Sequence, residues 1–188
     1  GLSTNGGAVT ITADDDVIFA AEGDIASANG TVSVTADADS VGAGSGALTM
    51  ADGTLINSGN ATITLNAGDD ITLGGLLTTN AGLTAVNVTS TDGGIVDGGA
   101  GFVDVVATGG RLVIDAETGV GNAGAIDTTV GSADIDNQTS GSIDINETDA
   151  ITVVKAVQAT TGAVQIVAGG TITLDSAGAP ANVVSTPA

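Results

Sequence analysis

The sequence predicts an all-β fold, a parallel β-helix of about seven irregular coils with no helix. Three observations carry this reading. Short apolar pieces of period two, with Val, Ile or Leu alternating with Thr, Ser or Asn, recur between Gly, Asn and Asp along the 188 residues. That is the chemistry of strands and turns. The pieces come in threes within roughly 20 to 30 residues, the length of one solenoid coil. Finally, the chain has two Phe and no Trp or Tyr. Such a thin core suits an elongated stack better than a pair of antiparallel sandwiches, which also use short strands and regular turns. The 42% hydrophobic content and mean hydropathy of +0.41 separate the chain from a disordered acidic one.

The clearest copy is Ala61-Thr-Ile-Thr-Leu-Asn-Ala-Gly-Asp-Asp-Ile-Thr-Leu73, two strands joined by an Asn/Gly/Asp turn. Copies open at Val9, Val32, Ile63, Val86, Val103, Ala133 and Val164, with spacings of 23, 31, 23, 17, 30 and 31. They are expected to share one face, with Val9/Ile11, Val32/Val34, Ile63/Leu65, Val86/Val88 and Val103/Val105 pointing inward. A second strand follows each, as at Val17 and Ile71. A third apolar piece follows that, as at Ile25, Leu55-Ile56, Leu76-Leu77 and Ile126. Gly42–Gly46 reads as a swollen turn, and Gly1–Asn5 as a turn within a repeat. The domain is expected to span 6–178, with 179–188, which carry Pro180 and Pro187, as an irregular tail. No stretch sustains a 3.6-residue period without Gly or β-branched interruption.

Composition excludes several function classes. The chain has no His and no Cys, so the usual zinc, haem and thiolate sites have no ligands and His-activated nucleophiles cannot form. Against 22 Asp and Glu stand only Arg111 and Lys155, for a net charge of −20. Nucleic acid and anionic membranes are therefore poor partners. Gly119-Val-Gly121-Asn-Ala-Gly124 spells G-x-G-x-x-G, but a dinucleotide site needs a helix next, and Ala125–Val130 does not read as one.

The strong copies, Ala61–Leu73 and Gly169-Gly-Thr-Ile-Thr-Leu174, resemble the repeat region of filamentous-haemagglutinin-like exoproteins, the large bacterial adhesins exported by two-partner secretion. The resemblance covers most of the chain in style and about three coils closely. It implies a right-handed parallel β-helix that is secreted or on a bacterial cell surface, as an internal segment of something longer. The function expected is non-enzymatic. The chain would be a rigid rod, an adhesin repeat or a filament subunit. It would associate end to end or with neighbouring repeats, and the sequence does not identify a surface receptor or glycan.

The acidic turns are the remaining candidates. Asp14, Asp15 and Asp16 occupy a turn equivalent to that of Asp69 and Asp70, with Asp37 and Asp39 in a repeat between them. Calcium takes six to eight oxygens, which Asp and turn carbonyls can supply. Asp14, Asp15, Asp16, Asp69 and Asp70 are thus the candidate site of weak calcium binding, with plain solvated turns as the favoured reading. The calcium nonapeptide is not matched, because Gly98-Gly-Ala-Gly101-Phe-Val-Asp104 places its Asp one position late. A calcium-dependent module that binds or cleaves polysaccharide is the alternative function. Thr-Ile-Thr at 10–12, 62–64 and 171–173 suggests a flat threonine array, but the expected ladder breaks after the third coil.

Overall fold

A computed structural model describes residues 1–40, 45–99, 101–175 and 183–185. They form nineteen strands and no helix. All pairings between strands are parallel, and each joins one coil to the next. The result is a three-faced β-solenoid of about seven turns, as the period-two pieces predict.

The first face stacks Val9–Thr12, Val32–Thr35, Ile63–Ala67 and Val86–Ser90, then the C-terminal parts of Val105–Ala116, Ile126–Asn137 and Ile151–Gln158. The second face stacks Val17–Phe19, Leu48–Met50, Ile71–Leu73 and Ile95–Asp97, the single residue Val120, then Ile143–Glu147 and Val164–Ala168. The third begins with Leu2–Thr4, Ile25–Ser27, Leu55–Asn57 and Gly75–Leu77, and passes into the N-terminal parts of the long strands.

Alternation of side chains along each strand sends every second residue inward. One first-face ladder is Val9, Val32, Ile63, Val86, Leu112 and Ala133. The second-face ladder is Val17, Leu48, Ile71, Ile95, Val120 and Ile143. All of these are buried. Ile63, Leu65, Ile71 and Leu73, the inward set of the clearest copy, are fully enclosed. Nearly every core residue is Val, Ile, Leu or Ala, which matches the narrow space between three sheets.

Two expected first-face openings lie elsewhere. Val103 is exposed outside the strands, and Val105 sits on the third face under Leu76; the first-face partners of Val86 and Val88 are Leu112 and Ile114. Val164 pairs with Ile143 on the second face. The physical reason is that all three faces use the same strand-turn-strand grammar, so only turn length sets the phase. In the later coils a turn disappears altogether. Val105–Ala116 and Ile126–Asn137 are continuous 12-residue strands that run from the third face onto the first. Their register shifts between Ala107 and Arg111, around Gly109 and Gly110. A side chain on Gly110 would run into the Asn80 carbonyl and the Ala85 methyl.

The ends also differ from expectation. Leu2–Thr4, read as a turn, pairs with Ile25–Ser27, so strand structure precedes residue 6. Within the tail expected to be irregular, the backbone of Val183–Ser185 continues the first-face ladder against Ala156–Gln158. A proline removes one donor and need not end a strand three residues away. Pro180, Pro187 and most of the Gly42–Gly46 swelling lie outside the described residues.

Candidate functional site

Asp14, Asp15 and Asp16 stand at the corner between the first and second faces, and Asp69 and Asp70 stand at the same corner two coils on. The coil between them carries Asp37 and Asp39, so the two predicted groups are equivalent in place without touching. Among the described residues, no three acidic side chains gather closely enough to hold a metal ion. Two of the five have a visible structural task. Asp16 Oδ1 accepts the Ala47 N–H at 2.9 Å, and Asp70 Oδ1 accepts the Gly94 N–H at 2.7 Å.

The same device recurs at the next corner. Asp24 Oδ1 accepts the Leu55 N–H at 2.9 Å, and Asp104 Oδ2 accepts the Asp127 N–H at 2.8 Å. In each case an Asp precedes the inward residue that opens a strand: Val17, Ile25, Ile71 or Val105. Its carboxylate reaches along the solenoid to the backbone N–H at the equivalent position one coil later. The donors on Ala47 and Gly94 stand just before a strand and those on Leu55 and Asp127 in the opening residues of one, so the carboxylate supplies an acceptor where the ladder begins. Charge-assisted bonds of this kind are stronger than neutral ones. The sequence signal is Asp followed by Val or Ile at the end of a turn; Asp16 and Asp70 stood out in the sequence as acidic turn residues, but the bracketing of one coil to the next by these four Asp did not.

Asp104 is the extreme member of the set, at 2% exposure. Burial pushes its carboxyl up to about 7; the Asp127 N–H works against this, and the nearby carboxylates of Asp97, Asp127 and Asp52 add to it. Asp97 in turn accepts the Gly99 N–H at 2.7 Å. The corner between the second and third faces is therefore a concentration of negative charge around one buried carboxyl.

A second buried acid lies in the core itself. The third-face ladder runs Ile25, Ile56, Leu76 and Val105, then turns polar at Thr128 and Glu147. Burial pushes the Glu147 carboxyl up, opposed by the Thr128 hydroxyl, which donates at 2.7 Å, and by the N–H groups of Val130 and Asp149. At the first-to-second corner, Asn137 and Gln158 are both fully buried. The Asn137 amide donates to Gln158 Oε1 and to the Ser140 carbonyl, and its oxygen accepts the Gly119 N–H. Gly119 and Gly121 of the G-x-G-x-x-G stretch are corner residues with φ of 124° and 81°, and a strand follows, Ile126–Asn137. The stretch thus turns the chain around Val120 rather than opening a helix.

Outward positions of the first face read Thr10, Ser33, Thr64, Asn87, Val113, Asp134 and Lys155 along one ladder. No single chemistry persists along it, so the threonines do not make a continuous array. Both cations lie on this face: Lys155 is paired with Asp136, and Arg111 donates to Ser132 Oγ. No protein-family model, curated protein or solved structure matches the chain.

Proposed function

We propose that this chain is a non-enzymatic structural or adhesive β-solenoid segment, secreted or displayed on a bacterial surface. It serves as a rigid spacer, an adhesin repeat or a filament subunit. The observation that carries the reading is the set of three parallel backbone ladders running coil to coil, with inward apolar residues in register on each face. Such a stack resists bending and leaves few loops for proteases. The resemblance of Ala61–Leu73 and Gly169–Leu174 to exoprotein repeats supports the surface location. The Asp104 carboxyl is buried and bound to backbone, which suits a structural bracket better than a general acid that must reach a substrate. The net charge of −20 keeps neighbouring rods soluble and apart.

The partner in this reading is more of the same architecture. Among the described residues, Val9–Thr12 and Val17–Phe19 at one end, and Val164–Ala168 and Ile172–Leu174 at the other, each pair on one side only. Open strand edges template pairing with another strand. Unlike ends meeting head to tail do not close, so they build open filaments. Electron microscopy of the purified segment tests this at high salt, where the screening length falls to about 3 Å. End-to-end filaments that lengthen with salt are expected. Dispersed monomers at high concentration and high salt would overturn self-assembly by stacking.

A further inference from the structure

We infer that the third face carries a docking groove for an extended basic peptide segment in which Lys or Arg alternates with an aliphatic side chain. This surface is distinct from the open ends, and the inference holds whether or not rods stack. The groove is about 300 Å³, the lower end of the range for ligand pockets and enough for one or two side chains rather than a large molecule. Leu55, Phe102, Val103 and Val106 wall it, and Gly53 and Gly75 leave space between them. Phe102 is 59% exposed, whereas the other aromatic residue, Phe19, is buried. Outward third-face positions read Asn57, Leu77, Val106 and Thr129, so the ladder turns apolar where the groove lies.

The occupant follows from charge. Asp52 precedes the groove residue Gly53, and its carboxylate is the nearest neighbour a side chain on Gly101, just before Phe102, would meet. Asp24 is bonded to the Leu55 backbone, and Asp104 follows Val103 and lies near Asp97 and Asp127. Apolar walls with an acidic margin favour a ligand that is apolar and cationic side by side. An acidic or purely aliphatic segment lacks one of the two. The ring of Phe102 adds a face on which a Lys or Arg cation is attracted. The protein's own cations are on the first face with Ser132 and Asp136 and do not neutralise this margin.

The test uses three blocked tetrapeptides as probes: Lys-Leu-Lys-Leu, Lys-Ser-Lys-Ser and Glu-Leu-Glu-Leu. Binding to the whole chain is followed by amide chemical shifts. The Lys-Leu probe is expected to shift resonances around Gly53–Leu55, Gly75 and Phe102–Val106, and to bind about fivefold or more tightly than either control. Phe102→Ser and Asp52→Asn, each checked for unchanged melting, are expected to weaken it by about the same factor. Equal binding of the Lys-Ser probe, shifts spread over the whole acidic surface, or unaltered binding to well-folded Phe102→Ser would each overturn the groove. Filament formation is not read in this experiment, so its failure leaves the stacking proposal to its own test.

Discussion

Ile63→Asp abolishes the fold: the far-ultraviolet β signature is lost at temperatures where the unsubstituted protein keeps it. Ile63 has 0% exposure and lies between Val32 and Val86 in the first-face ladder. An ionised carboxylate there has no partner, because both cations are engaged on the outside of later coils. An unpaired buried charge costs several kcal/mol. That is a large part of the roughly 5–15 kcal/mol that holds a domain together. Thr64→Asp, one position along and facing outward between Ser33 and Asn87, is the control and should melt close to the unsubstituted protein. Thermal melts of the two variants check the register, and a normal melt for Ile63→Asp would refute it.

Asp104→Asn works in the opposite direction and stabilises the protein at alkaline pH. The folded-state pKa of about 7 lies above the ordinary carboxyl value of 3.8. Between those values the folded chain holds a proton that the unfolded chain releases. Stability is therefore highest near pH 4, falls as pH rises toward 7, and levels off above it. The ionised form costs on the order of a few kcal/mol. Asn removes the charge and keeps an oxygen to accept the Asp127 N–H. Its melting temperature should match that of the unsubstituted protein near pH 4 and exceed it at pH 8. Buried Glu147 contributes a slope of the same sign, so the variant's pH dependence is reduced rather than flat. An Asn variant that melts at or below the unsubstituted protein at pH 8 would show that the corner tolerates the charge.

The architecture was legible because period two, β-branched residues and Asn/Gly/Asp turns agree at Ala61–Leu73, where each expected inward residue is buried. The phase was not. Val164-Gln-Ile166 reads like Ile63-Thr-Leu65, yet it lies one face away, because phase accumulates from turn lengths that carry no pattern of their own. Around Val105–Ala116 the strand passes a corner without a turn, so the 17-residue step from Val86 to Val103 looked like a short coil. The site suffered from the same slip. In that register Asp104 is an outward first-face residue. On the true register it enters a corner and becomes a buried bracket. The carboxylates at Asp16 and Asp70 were visible in the sequence, but their backbone donors, on Ala47 and Gly94, are distant residues that only the stacking brings near.

The face register is the central claim, and the absence of cysteine from the sequence makes it directly measurable. Neighbouring strands lie about 4.8 Å apart, within the span a disulfide bridges. Asn87 pairs with Val113 across adjacent first-face strands, both side chains facing outward. The sequence spacing alone would have paired Asn87 with Asp104. Two double variants, Asn87→Cys with Val113→Cys and Asn87→Cys with Asp104→Cys, are oxidised in the folded state and assayed for free thiols. The first pair should close an intramolecular disulfide and the second should stay reduced. Closure of the second pair with failure of the first would contradict the solenoid as described.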